Sequence, residues 1–170
     1  MPEPTYSIDP IVGSEGWAVQ RLGPLVLGFW NTHLAEDRIH ACRRLYRRAR
    51  QEHGSLSVFT VFRANPWSIE LASGQSARAL VVSLFKEFDG AFDTFICVLE
   101  GTGIQGSIMR LGAAAIVPLL PRTMPITFPA SIGEGARIGR TSGTFDIVDE
   151  ATVLQHMNAL QQQVLFSPPR

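Results

Sequence analysis

Residues 92–120 read FDTFICVLEGTGIQGSIMRLGAAAIVPLL and combine a strand pattern, a glycine turn and a helix pattern. It contains the unbroken apolar run Phe95-Ile-Cys-Val-Leu99, which is rich in β-branched and aromatic residues and has the length of a strand. Such a run is typical of a strand covered on both faces, so it predicts the central strand of a parallel sheet. The turn Glu100-Gly-Thr-Gly103 then leads into a helix that Pro118 and Pro121 end. Strand, tight turn and helix form half of a βαβ unit.

The predicted helix over residues 104–120 is apolar on nearly every side. The positions that recur at helical spacing, and that we predict to face the sheet, are Ile108, Leu111, Ala115 and Leu119. The outward face would then include Met109, Ala113, Ile116 and Val117. A membrane span requires roughly 20 apolar residues, and the run 111–120 is about half of that. We therefore predict a homodimer whose interface is this outward face, because exposed apolar patches mark interfaces. The competing explanation is packing within the same chain, by the C-terminal helix or by residues 131–144.

The composition limits the classes of protein that the chain can belong to. Its 170 residues predict one domain with a real hydrophobic core. Fifteen basic and fifteen acidic residues cancel, which argues against a protein that coats nucleic acid or an anionic membrane. Two cysteines without a CxxC motif exclude a disulfide framework and a thiolate zinc site. The first ten residues contain no apolar signal-peptide segment, so we expect a cytoplasmic protein. We also expect it to bind no cofactor.

The remaining segments alternate between strand and helix patterns. Residues 1–15 predict a flexible N-terminal arm, and 16–165 a single α/β domain, followed by a tail over 166–170. Two strand patterns, Trp17–Leu22 and Leu25–Trp30, flank Gly23-Pro24 and predict a hairpin. A strand over 56–62 and an edge strand over 124–128 complete, with the central strand, a mixed sheet of about five strands. About four helices pack on it. Residues 131–144 predict a Gly/Arg-rich loop.

Apolar periodicity predicts which helix positions are buried. The predicted stripe of the first helix is Ala35, Ile39, Cys42, Leu45, Tyr46 and Ala49. Asn31 or Thr32 is its expected cap, and Gly54 its expected end. The second helix has apolar positions from Ala77 to Phe88. In the last helix we expect Asp146 or Asp149 at the cap, and the inward positions Ile147, Ala151, Leu154 and Met157.

Two features could carry binding chemistry, and each also has a purely structural explanation. The turn Gly101-Thr-Gly-Ile-Gln-Gly106 matches GxGxxG, so the backbone around Gly101, Thr102, Gly103 and Gly106 could face an anion. The structural explanation is a tight turn that lets the helix lie close to the sheet. The first helix carries Arg43, Arg44 and Arg47, which could dock an acidic protein partner or simply form a solvated face.

The sequence contains no recognisable catalytic or metal-binding constellation. His33, His40, His53 and His156 lack metal-ligand spacing, and we expect them to be surface residues. Cys42 and Cys97 lie in apolar patterns and are expected in the core. GxSxG and Walker motifs are missing from the sequence. We therefore predict a protein that is not an enzyme.

The order of predicted elements resembles the STAS fold of anti-sigma factor antagonists and of sulfate transporter cytoplasmic domains. The resemblance covers about residues 17–163 and depends on the opening hairpin, the strand Thr94-Phe-Ile-Cys-Val-Leu99 and the helix after Phe145-Asp146. In that family, a serine within an Asp-Ser-x-Gly signature is a phosphorylation switch. The matching stretch Leu71-Ala-Ser-Gly-Gln-Ser-Ala77 keeps Ser-Gly but lacks the preceding aspartate. The resemblance implies a divergent, stand-alone bacterial member.

What the resemblance implies about function is a regulatory or protein-interaction module of a bacterial signalling pathway. Ser73 and Ser76 are the expected phosphorylation sites, since they precede a helix whose dipole favours a phosphate. The expected partners are a second copy of the chain and another protein, and not nucleic acid or a membrane. The alternative is a small-molecule or nucleotide binder that uses the turn from Gly101 to Gly106.

Overall fold

The computed structural model describes residues 6–64 and 75–166, and within them the chain forms a single α/β domain. The strands are β1 (Val12–Ser14), β2 (Trp17–Leu22), β3 (Leu25–Trp30), β4 (Leu56–Arg63), β5 (Phe92–Glu100) and β6 (Ile126–Thr127). The α-helices are α1 (Glu36–His53), α2 (Gln75–Glu87), α3 (Gly103–Ile116), α4 (Ile132–Thr141) and α5 (Glu150–Phe166). A 3-10 helix, Val117–Leu119, continues α3. The predicted mixed α/β sheet is confirmed, with one more strand and one more helix.

The six described strands lie side by side in the order of the chain, from β1 to β6. β1, β2 and β3 are antiparallel, and the predicted hairpin is confirmed by the pairing of Trp17 with Trp30 and of Leu22 with Leu25. β3, β4, β5 and β6 are parallel, with β5 flanked on both sides. Helices α1, α2 and α3 connect successive parallel strands. Because such crossovers are right-handed, helices that connect strands in sequential order lie on one face.

Alternate residues of each strand fill two separate cores. On β5, Phe95 and Cys97 point to the first face, where α1, α2 and α3 pack, while Ile96 and Val98 point to the second face. After β6 the chain crosses to the second face and covers it with α4 and α5. The sheet is therefore the middle layer of three, which explains why its central strands are apolar on both sides.

The N-terminal segment belongs to the sheet, so the prediction of a loose arm over 1–15 is wrong for residues 6–14. Ile8 forms an antiparallel bridge with Leu22, and β1 pairs with β2. Asp9 is buried although it is a carboxylate. Its side chain accepts hydrogen bonds from the buried Arg21. Sequence periodicity could not show that Asp9 is the partner of Arg21. The first five residues lie outside the described chain.

The prediction of a loop over 131–144 is also wrong, because α4 occupies most of it. The backbone N–H of Glu134 donates to Ser131 Oγ (3.2 Å), and the Glu134 carboxylate accepts from the N–H of Ala130 (2.9 Å). This arrangement is a variant of the capping box, and its S-x-x-E spacing was present in the sequence. Two of the glycines that suggested a loop, Gly135 and Gly139, serve close packing instead. A Cβ on Gly135 would lie 3.2 Å from the ring of Phe59.

The buried stripe and the C-terminal end of α1 agree with prediction, whereas its N-cap and the buried stripe of α5 differ from prediction. The buried residues of α1 are Ile39, Ala41, Cys42, Leu45, Tyr46 and Ala49, and Gly54 ends the helix with φ of 82°. Its N-cap position is Ala35, so the expected caps Asn31 and Thr32 are wrong. Asp149 caps α5 by accepting from the N–H of Thr152 (3.0 Å). The buried residues of α5 are Val153, Met157, Leu160 and Val164, so of its expected inward positions only Met157 is confirmed.

Candidate interaction surface

The two faces of α3 are the reverse of the prediction. Met109, Ala113 and Ile116 were expected to face water, but all three are buried against the first face of the sheet. Met109 is only 2% exposed. Val117 alone of the predicted interface residues is exposed. The proposed dimer interface at Met109, Ala113 and Ile116 is therefore corrected, because a residue in the core of its own chain cannot meet a partner.

The face of α3 that was expected to cover the sheet is the exposed one. Ile104 is 80% exposed, Leu111 is 68% exposed and Leu119 is 50% exposed. Ile108 is half-buried and Ala115 is exposed. Because residues 104, 108, 111 and 115 are separated by three or four positions, they lie on one side of the helix. We call this set, with Leu119, the apolar stripe: Ile104, Ile108, Leu111, Ala115 and Leu119.

The apolar stripe is a patch and not a scatter of single residues. Eight large hydrophobic residues are exposed in the described chain, and four of them lie on α3 and its 3-10 continuation. From 101 to 121 the only charged residue is Arg110, whose Nη1 donates to the carbonyl of Gly101 (3.2 Å). Isolated exposed apolar residues are ordinary, whereas a contiguous uncharged group marks a binding surface.

The turn from Gly101 to Gly106 has a steric reason for each of its glycines. A Cβ on Gly101 would lie 2.3 Å from the Cβ of Ala64, and a Cβ on Gly106 would lie 2.5 Å from the carbonyl oxygen of Gly101. Gly103 has φ of 66°, a conformation that favours glycine. Thr102 is at the N-cap position without a side-chain cap. Close packing of α3 on β5 thus accounts for the motif, and anion binding stays a prediction.

Two of the three arginines predicted to dock a partner form ion pairs within the domain. Arg43 Nε lies 2.7 Å from a carboxylate oxygen of Glu87 on α2, and Arg47 Nε donates to the other oxygen (2.7 Å). These ion pairs connect α1 to α2. Arg44 is exposed. A docking surface on α1 would therefore be centred on Arg44 and would contain less free positive charge than the sequence indicates.

The predicted phosphorylation sites differ in what the structure shows of them. Ser73 lies outside the described residues. Ser76 is exposed in the first turn of α2, where a kinase could reach its hydroxyl. Phosphorylation of either serine stays a prediction.

Both cysteines are buried, as expected for residues of the core. Burial raises the pKa of the Cys42 thiol and of the Cys97 thiol to about 12. Both line an apolar cavity of about 90 Å³ between the first face of the sheet and helices α1, α2 and α3, with aromatic walls that include Trp30 and Phe85. A protonated thiol is a poor nucleophile, so these cysteines act as small hydrophobic residues.

The histidines occupy unrelated places in the fold. His40 and His53 are exposed, while His33 and His156 are half-buried. Among residues 6–64 and 75–166, no group of three or more His, Cys, Asp or Glu side chains could hold a metal ion. In the same part of the chain, no helix combines the length and the apolar character that crossing a membrane requires.

Comparison with known proteins gives no match: no protein-family model fits the chain, and neither curated proteins nor solved structures show significant similarity to it. The resemblance to the STAS fold therefore stays a prediction from the order of elements.

Proposed function

We propose that this protein is a protein-interaction module that self-associates as a homodimer through the apolar stripe of α3. The observation that carries the proposal is the exposure of Ile104 and Leu111 on one side of the almost uncharged α3, followed by the exposed Leu119 on its 3-10 continuation. Full burial of one such side chain contributes about 1.5–3 kcal/mol. In a dimer these three side chains would be buried in each subunit, and their burial would offset much of the entropy lost on association.

The shape and charge of α3 suit a second copy of the same helix. Ala114 and Ala115 are small and exposed, so another helix backbone could approach closely beside Leu111. Arg110 is the only charge on the helix, so two copies would bring little like-charge repulsion together. A two-fold arrangement, in which each subunit contributes the same surface, is the commonest solution for such a patch.

We extend this proposal to a regulatory role in a bacterial signalling pathway. It draws support from the STAS-like order of hairpin, central strand and C-terminal helix, and from the exposed hydroxyl of Ser76. A cytoplasmic location belongs to the same proposal, since two unpaired cysteines suit a reducing compartment. An acidic protein that docks beside Arg44 would be the second partner.

Sedimentation equilibrium over a wide concentration range tests the proposed dimer. We expect the wild type to be a dimer and Leu111→Glu to be a monomer, because a charge in the centre of the stripe must be desolvated on association. The matched control is Ile147→Glu, which adds the same charge at an exposed isoleucine outside α3 and should remain dimeric. A wild type that is monomeric at its highest soluble concentration would refute self-association. A dimer unaffected by Leu111→Glu would place the interface elsewhere.

A further inference from the structure

A polar cleft of about 320 Å³ lies on the second face of the sheet, at the end opposite to the Gly101–Gly106 turn. Its floor is formed by the first residues of β4 and β5, including Ser57 and Thr94. Its wall is the connection between α4 and α5, which turns at Gly143 with φ of 76° and brings Asp146 to the rim. The cleft falls within the size range of small-molecule sites.

The hydroxyls of Ser57 and Thr94 are the first sign that the cleft takes a ligand. The two residues are register partners on adjacent parallel strands, so their side chains stand next to each other on the same face. Ser57 is 8% exposed and Thr94 is 6% exposed, and both line the cleft. Within the described residues neither hydroxyl has a hydrogen-bond partner in the protein, and neither oxygen is among the fully buried unpaired atoms, so both are open to the cleft.

Because the two oxygens open onto the cleft, water or a bound molecule in the cleft can complete their hydrogen bonds. Buried polar groups in folded proteins are almost always paired with protein, ordered water or a bound ligand. Thr60 shows such pairing, since its buried hydroxyl accepts from Trp30 Nε1 (2.9 Å). The cleft hydroxyls differ from Thr60 because the cleft leaves them accessible to a small molecule.

The other lining groups define the chemistry of that molecule. Asp93 and Asp146 contribute carboxylates, and among the described residues that line the cleft His53 is the only basic one, so an anion would be disfavoured. Ser55 Oγ donates to one oxygen of Asp93, which leaves the other oxygen as an acceptor. Leu25 and Ile147 supply apolar surface between the polar groups. Carboxylates that accept, hydroxyls that donate and accept, and apolar walls that contact C–H groups together match a sugar or polyol.

We propose that this cleft binds a small neutral polyhydroxylated molecule of the monosaccharide or polyol class. Ser57 and Thr94 contact it from the sheet, while Asp93 and Asp146 accept hydrogen bonds from its hydroxyls. The proposal is independent of the dimer, because the cleft lies on the second face of the sheet and α3 packs on the first.

Ligand-observed NMR with D-glucose, D-ribose, myo-inositol and glycerol as separate probes tests the site in the full chain. We expect at least one probe to bind, and the double variant Ser57→Ala/Thr94→Val to bind it at least about tenfold more weakly, since each lost hydroxyl removes a hydrogen bond. Thr94→Val keeps the shape of the side chain. The matched control is Ser107→Ala, which removes an exposed hydroxyl on α3 and should bind like the wild type.

The outcomes separate the proposal from its competitors. Failure of every polyhydroxylated probe at tens of millimolar would overturn it and assign the cleft to water alone. Binding of putrescine in place of the neutral probes would overturn it in favour of a cationic amine held by the carboxylates. If the double variant does not fold, Asp146→Ala on the exposed rim replaces it, because alanine removes the acceptor, and unchanged probe affinity in that variant would equally contradict the proposal.

Discussion

The guanidinium of Arg21 donates to both carboxylate oxygens of Asp9, from Nε at 2.9 Å and from Nη2 at 3.0 Å, while Arg21 is completely buried. The remaining donors of Arg21 also have acceptors: Ser7 Oγ, the carbonyl of Gly23 and the carboxylate of Glu52. Hydrogen bonds from Arg48 and Arg21 in turn lower the pKa of Glu52. One buried arginine thus joins the N-terminal segment, β2 and the end of α1.

Replacement of Asp9 by alanine should destabilise the protein strongly. It would leave the buried guanidinium of Arg21 without its bidentate acceptor, which costs about 3–5 kcal/mol in comparable buried pairs. Urea unfolding followed by tryptophan fluorescence measures the free energy, since Trp17 and Trp30 are buried and stacked with ring centroids 5.6 Å apart. The control, Glu15→Ala, changes an exposed carboxylate and should stay within about 0.5 kcal/mol of the wild type. Equal stability of both variants would show that the ion pair is dispensable.

The orientation of α3 predicts that alanine substitutions two positions apart will differ strongly in their effect on stability. Met109→Ala should cost about 2–5 kcal/mol because it creates a cavity in the core. Leu111→Ala should change the free energy of unfolding of the monomer by no more than about 0.5 kcal/mol, since its side chain is exposed. Urea unfolding at low protein concentration, where a dimer would dissociate, gives both values. The reverse result would mean that the helix is rotated as the sequence first indicated.

Two glycines of α4 should respond to alanine with opposite signs. A Cβ on Gly139 would lie 2.4 Å from the ring of Phe145, so Gly139→Ala must displace that ring and is expected to destabilise by about 1–3 kcal/mol. A Cβ on Gly133 would meet nothing within 4 Å, so Gly133→Ala should stabilise by up to about 1 kcal/mol through helix propensity. Thermal unfolding of the two variants tests the pair. A destabilised Gly133→Ala would contradict the presence of α4.

His156 should make the folded protein less stable below neutral pH. Its Nδ1 lies 2.9 Å from Gln20 Oε1, so the neutral ring carries its proton at Nδ1. Burial lowers the pKa of His156 in the folded protein below the ordinary value of about 6.5. The unfolded chain therefore binds this proton first as the pH falls, and stability decreases from about pH 6.5 down to the folded pKa. Urea unfolding across this range should show a smaller decrease for His156→Gln than for the wild type, and identical slopes would refute the assignment.

The two thiols should be unreactive in the native protein. With the pKa of Cys42 and of Cys97 raised to about 12 by burial, almost no thiolate is present at pH 8. A disulfide reagent that releases a coloured thiolate when it reacts with cysteine measures the accessible thiols. We expect it to detect no thiol in the native protein and both thiols after guanidinium unfolding. Rapid reaction of either cysteine without denaturant would show that the cavity they line opens readily.

Some parts of the fold were predictable because their residue pattern is compatible with only one local structure. The hairpin followed from Gly23-Pro24 between two apolar runs, and the buried stripe of α1 from charges confined to its other side. The stripe of α3 was misplaced because both of its faces are apolar, so periodicity alone could not choose between them. The polar cleft could not be predicted at all. Ser57 and Thr94 are 37 positions apart in the chain and meet only through strand register.

Local sequence patterns were enough to predict the α/β class, the central parallel strands and the buried side of α1, because short-range periodicity reflects which side of an element avoids water. Tertiary structure alone decided which face of α3 remains exposed, which carboxylate pairs with Arg21 and which hydroxyls share a cleft. These features depend on contacts between residues that are distant in the chain. Several pairings are compatible with the same local pattern, and only the packing of the whole domain selects one of them.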